Sequence, residues 1–136
     1  MSCKSAIYTV NATNAAVDTT AGTFVQVPFG SVIRRYGSNL GLDGGSILAI
    51  NQGYFDVEAS LSFVPTVAGP VTVEVRQDGV AVPGLTATAQ ATAGNPIALP
   101  LSGLIRNCGR CCNSAITLWV NAPGNVANLA TVVEKQ

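Results

Sequence analysis

The residues with the most chemical potential sit in one short run, Asn107-Cys108-Gly109-Arg110-Cys111-Cys112-Asn113, which holds three of the four cysteines; the other is Cys3. A C-x-x-C-C spacing with Cys3 as a fourth thiolate offers the soft ligands that Zn²⁺ takes. Structural zinc sites pair two such knuckles, whereas this chain has one and has no histidine to complete it. Four cysteines also allow three disulfide connectivities, a bond between subunits among them, and a turn of inert thiols fits the same spacing. The spacing leaves these readings open and requires neither a metal nor a cofactor. Arg110 would favour a thiolate beside it, but no base accompanies it and no nucleophile is inferred.

Two further sets are worth weighing. Asp56 and Glu58 stand two residues apart on an alternating run, so they share a face. A glycosidase uses such a carboxylate pair, but only across a substrate cleft, and no cleft is marked in this sequence. The expectation is a polar face turned to solvent or to another subunit. Trp119, with Tyr54 and Tyr36, has the makings of an aromatic platform for sugar, and Trp119 is the candidate ligand contact; a lone Trp on a strand otherwise serves packing. Without histidine the chain lacks the commonest general base, metal ligand and pH switch. No Ser-His-Asp set and no phosphate-binding glycine loop are present, so no enzymatic activity is expected.

The carboxylates belong to the stretch from Gly53 to Gly84, around which the rest of the chain is organised. Phe55, Val57, Ala59, Leu61 and Phe63 alternate with Asp56, Glu58, Ser60 and Ser62, the period of a half-buried strand. After a break between Pro65 and Pro70, Val71, Val73 and Val75 alternate with Thr72, Glu74 and Arg76, and Gln77-Asp78-Gly79 turns the chain back. A hairpin with one apolar face is marginal alone and needs a second sheet over it. Short β-favouring runs supply one: 5–10, 23–29, 31–36, 46–50, 96–105, 115–121 and 126–133, separated by Gly, Pro and Asn. Pro83 is expected to break a strand at 80–84 near an edge. In 85–93 a Thr or Gln at every second place favours strand over the helix propensity of Ala. Eight to ten short strands without an amphipathic helix mean a single-domain β-sandwich or barrel.

Composition narrows the partners. Only 10% of residues are charged, seven basic against seven acidic, where about 25% is usual. No basic patch exists for nucleic acid or for an acidic membrane surface, and neither is expected as a partner. From Gly79 to Ile105 there is no charged residue at all, a stretch that would be prone to association on a free monomer. The strongest basic feature, Arg34-Arg35, reads as a solvated strand end or an ion pair between subunits. The opening MSCKSAIYTV lacks the apolar core of a signal peptide, and no run reaches the length of a membrane span. Asn11-Ala12-Thr13 fits the N-glycosylation pattern, but without a secretory signal it carries no weight.

The order of pieces resembles the trimeric jelly-roll family of tumour necrosis factor and complement C1q head domains. Gly53-Tyr54-Phe55-Asp56-Val57 is similar to that family's glycine and aromatic opening of a central strand; Val71 to Val75, the Gln77-Asp78-Gly79-Val80 hairpin and a closing apolar strand follow. Pro28-Phe29-Gly30 with Val32-Ile33-Arg34-Arg35, Asp78 to Gly84, and Val132-Val133-Glu134-Lys135 look like the small bacterial and phage members: C-terminal domains of collagen-like exosporium and surface proteins, and phage virion proteins. The resemblance covers most of 22–135, without a Gly-X-Y tract and with few aromatics. It implies an all-β jelly-roll sandwich over 22–136, preceded by an arm or first strand over 1–21, that assembles as a homotrimer with one sheet of each subunit packed inward. Asp56, Glu58, Arg34 and Arg35 are then trimer-contact candidates. The role it implies is a virion decoration or head-fibre protein, with a major capsid or other virion protein as partner. The alternative is a trimeric module on a bacterial cell or spore surface that recognises glycan or a receptor.

Overall fold

The computed structural model describes residues 5–107 and 113–136, so Cys3, Cys108, Cys111 and Cys112 lie outside the described residues. Among the described residues the chain forms twelve β-strands and no helix: β1 (Ala6–Asn11), β2 (Ala15–Val17), β3 (Val25–Val27), β4 (Ser31–Tyr36), β5 (Leu40–Asp43), β6 (Ser46–Ala49), β7 (Gly53–Pro65), β8 (Gly69–Gln77), β9 (Val80–Ala91), β10 (Ile97–Asn107), β11 (Ser114–Val120) and β12 (Gly124–Lys135). They make two antiparallel six-stranded sheets. The first runs β10-β7-β12-β1-β4 with β2 added on β12; the second runs β5-β6-β11-β8-β9 with β3 added on β11. Consecutive strands alternate between sheets at several points, which is the crossing connectivity of a jelly roll.

Alternation produced the two layers. Phe55, Val57, Ala59, Leu61 and Phe63 of β7 are all buried, as are Val71, Val73 and Val75 of β8, and the two sets meet in one core. From β12, Val126, Leu129 and Val133 join them, and Ile116, Leu118 and Val120 come from β11. The turn between β8 and β9 has Asp78 at φ 51° and Gly79 at φ 84°, the two successive positive values of a tight type I′ hairpin. The strand at 80–84 does not end at Pro83. β9 continues through it to Ala91, because a bulge opposite Val75 shifts the register between Glu74 and Arg76 and takes up Pro83 and Gly84. An edge strand tolerates this, since Pro there withholds a donor that no partner needs.

Two polar groups are tied into the frame and two are not. Asn11 is buried; its Nδ2 donates to the Pro28 carbonyl at 3.0 Å and its Oδ1 accepts from Thr13 Oγ1 at 3.0 Å. The side chain that fits a glycosylation pattern is thus committed to a turn. Thr9 and Thr131, directly opposite each other on β1 and β12, are fully buried, and their hydroxyls have no hydrogen-bond partner among the described residues. A buried, unsatisfied hydroxyl costs stability that a methyl of similar shape does not. Thr131→Val is therefore expected to raise the unfolding free energy by about 1 kcal/mol, read from the midpoint of a urea titration at unchanged slope.

Candidate subunit interface

The first sheet covers the core with one face and leaves the other open. Backbone register orders the open face into rows across the strands. One row runs Tyr36, Ala6, Glu134, Asp56, Leu104 from β4 to β10; the next runs Arg34, Tyr8, Val132, Glu58, Ser102; a third runs Ser31, Val10, Ala130, Ser60, Pro100. Small and apolar residues dominate this face, and several of its large ones are open to solvent: Tyr36 is 55% exposed and Leu104 53%. Two grooves that share Val132 lie along it. One, of about 520 Å³, is lined by Tyr8, Ile33, Arg34, Arg35 and Tyr36; the other, of about 360 Å³, by Glu58, Ser60, Pro100, Ser102 and Ala130.

β4 is the most telling element. Among the described residues it pairs with β1 alone, and all six of its residues are exposed, including Val32, Ile33 at 53% and Tyr36. A bulge at Ile33 shifts its register between Tyr8 and Thr9, a device that twists an edge away from uncontrolled pairing. Arg34 sits opposite Tyr8 on the open face, while Arg35 sits opposite buried Ile7 and escapes the core because it is at the sheet edge. The sheet thus gathers all four candidate contact residues, Arg34, Arg35, Asp56 and Glu58, but it does not join them: the ion pair found among the described residues is Arg76 with Glu74, on the other sheet. The sequence reading missed Tyr8, Leu104 and Val132 as members of the face. Their signal was there, since each falls on the outward parity of its strand, but it needs the pairing register to be seen.

No family model and no curated relative matches the sequence. Solved structures do match the fold. Murine APRIL at pH 8.0 superposes with a TM-score of 0.73 at 10% identity, over 97% of this chain and 99% of that one. The globular domain of zebrafish complement 1qA gives 0.64 at 9% identity, over 98% and 96%. The PRD1 vertex protein P5 gives 0.67 at 10% identity, over 99% of this chain and 74% of that one. The chain has the TNF/C1q-like jelly-roll fold. Identities this low establish the architecture, and the residues of the open face are this chain's own.

The second sheet of the jelly roll presents a different surface. Strand β11 pairs with β8 so that Thr117 faces Arg76 and Trp119 faces Glu74. The Arg76 guanidinium lies 4.3 Å from the centroid of Trp119 and 5.2 Å from that of Phe24, while its Nε donates to Glu74 Oε2 at 3.1 Å. Trp119 Nε1 in turn donates to Thr117 Oγ1 at 2.8 Å. Trp119, the candidate ligand contact, is therefore half-buried with a cation on its ring and its N–H engaged, and it lies on the opposite sheet from Tyr54 and Tyr36. Truncation of Trp119 to Ala removes the cation–π contact and much packing, so a loss of about 2 kcal/mol in unfolding free energy is expected by denaturant titration.

The stem of the cysteine run is anchored on both sides. Asn107 Nδ2 donates to the carbonyls of Ala49 at 3.2 Å and Asn51 at 2.9 Å; Ser114 Oγ donates to Asn107 Oδ1 at 3.1 Å, and Gln77 Nε2 donates to Ser114 Oγ at 3.0 Å. The candidate thiol cluster of Cys3, Cys108, Cys111 and Cys112 lies outside the described residues.

Proposed function

We propose that the chain is a non-enzymatic structural subunit that forms a homotrimer about a three-fold axis and decorates or projects from a phage virion, as a capsid decoration or head-fibre protein held by a major capsid or other virion protein. The observation that carries this reading is the open face of the first sheet: a broad, paired β surface with exposed Tyr36, Ile33 and Leu104 and grooves of several hundred Å³, bordered by an edge strand with no cover of its own. Surfaces of that kind are poor when free and favourable when shared between copies. The charge-free stretch from Gly79 to Ile105, which forms β9 and β10 at the other edges of the two sheets, supports the same conclusion. The likeness to a vertex protein favours a virion setting. Purified protein is expected to show three times the 13.9 kDa chain mass by light scattering, and electron micrographs of particles made with and without the protein are expected to differ by a surface projection. A monomer in the first experiment removes the trimer; identical particles in the second remove the virion role.

A further inference from the structure

The pole of the sandwich opposite the stem of the cysteine run is built from four turns, 18–24, 66–68, 92–96 and 121–123, in which Asp18 is the sole ionisable residue. Three of them wall a pocket of about 270 Å³, and hydrogen bonds hold those walls in place. Gly22 N donates to the Asn121 carbonyl at 2.8 Å, Thr66 N to the Pro123 carbonyl at 3.1 Å, and Asn121 N to the Thr72 carbonyl at 3.1 Å. Val67, Pro70, Ala122 and Pro123 make most of the lining, and no charged residue contributes to it. One polar side chain does, that of Asn121. Its Oδ1 accepts from Thr72 N at 2.7 Å, and because a backbone N–H can only donate, this bond fixes which way the amide points. Nδ2 is left accessible and without a hydrogen-bond partner among the described residues.

Apolar walls around a single fixed donor are selective. A charged group would lose its water here with no counter-charge to replace it. A plain sugar ring would leave hydroxyls unpaired against Val67 and the prolines. A methyl beside a carbonyl matches both parts of the lining. A running polypeptide also offers carbonyls, but it is bound along a sheet edge or a groove, whereas this pocket is walled by turns and falls below the range of about 300–1,000 Å³ that whole drug-sized ligands occupy. We infer that the pocket binds a neutral glycan through the acetamido group of an N-acetylhexosamine, with the carbonyl accepting from Asn121 Nδ2 and the methyl packed against Val67, Ala122 and Pro123. The site lies within one chain, so it adds a binding function to the structural role proposed above and does not depend on the trimer. A three-fold assembly would present three such pockets at one level, which turns weak single-site binding into avidity for a repeating polysaccharide.

The test uses the full chain with N-acetylglucosamine, N-acetylgalactosamine, glucose, glucosamine and N-acetylalanine amide as separate probes, read by saturation-transfer difference NMR and by titration of backbone amide shifts. The two N-acetyl sugars are expected to bind with a Kd on the order of 1–10 mM, the scale for one small group, with the strongest transfer at the acetyl methyl. The other three probes should be weaker by about tenfold or more. Asn121→Asp keeps an acceptor for Thr72 N and removes the donor, so it should weaken N-acetylglucosamine binding by about tenfold or more while the melting curve stays unchanged. Ala68→Phe, at an exposed turn position on the rim, should block the pocket, and it decides the question independently if the first variant fails to fold. Absence of transfer to both N-acetyl sugars at tens of millimolar, or binding that neither substitution disturbs, overturns the inference. Equal binding of N-acetylalanine amide assigns the pocket to acetylated groups of any kind and overturns the glycan reading as well.

Discussion

Ser60→Arg is expected to convert a sample of trimers into folded monomers. Ser60 is exposed at the centre of the open face, in the row with Val10, Ala130 and Pro100, and lines the smaller groove with Glu58 and Ser102. An arginine there fills the groove and places a charge, with Glu58 two residues along the same face as its nearest counter-charge, where assembly would strip water from both, and a three-fold ring repeats that cost at three contacts. Stripping water from a charge is costly even when a counter-charge stands beside it, far more so than a typical surface substitution is for the isolated fold. The mass by light scattering should fall to that of one chain while the melting transition stays cooperative. Thr86→Arg is the control: it is exposed on the second sheet opposite Glu74, and the trimer should survive it. If both variants remain trimeric, the open face of the first sheet is not the contact.

The same face shows what could be read before the structure and what could not. β7 was legible because its two sides meet different surroundings, so Phe55 to Phe63 alternate with Asp56 to Ser62. β4 is legible as a strand and its Arg34-Arg35 pair as a contact candidate, but which of its residues share a face is not, because Ser-Val-Ile-Arg-Arg-Tyr has no alternation. Its residues are all exposed, so no buried face imprints a period on them. The β8–β9 hairpin was legible from Asp78-Gly79, whereas the passage of β9 through Pro83 was not, since a bulge depends on the partner strand's register and not on the bulged residues alone. The Arg76 cluster was half visible. Glu74 and Arg76 share a strand face by parity, and so do Thr117 and Trp119, but that these faces coincide follows from the β8–β11 register, which joins segments far apart in sequence. Long-range pairing is the information that local pattern does not contain.

Charge placement follows the same division. A sequence with so few ionisable groups has little with which to specify partners, so where those groups fall matters more than their sum of zero. Arg76 and Glu74 satisfy each other within a chain and fix the second sheet's outer surface. On the open face of the first sheet Arg34, Asp56, Glu58 and Glu134 form no ion pair among the described residues, while Arg106 lies over the Tyr54 ring; that face also carries exposed apolar residues and grooves.

Gly30→Val should damage both at once. Gly30 immediately precedes β4 at φ 97°, a conformation that a β-branched residue adopts only at a cost. Space is closed as well: a Cβ at this position would lie 2.7 Å from the Val10 carbonyl carbon and 2.8 Å from Asn11 Cα, and nearer still to the Val10 oxygen. These are backbone atoms of β1, which is held between β12 and β4 and has no slack to give. The nearby Asn11 side chain, bonded to the Pro28 carbonyl, ties the same crossing. Relief requires the start of β4 to lift off β1, which breaks the Val10–Ser31 pairing and moves Arg34, Ile33 and Tyr36 out of register with the open face. Strain in φ costs on the order of 1–3 kcal/mol, and the clash adds to it, so a loss of about 3 kcal/mol or more in unfolding free energy is expected together with dissociation of the trimer. Urea titration and light scattering on the same sample check the two parts. Ser60→Arg loses assembly alone and Thr131→Val gains stability alone, so a Gly30→Val protein that keeps either property would show that β4 is not the element coupling them.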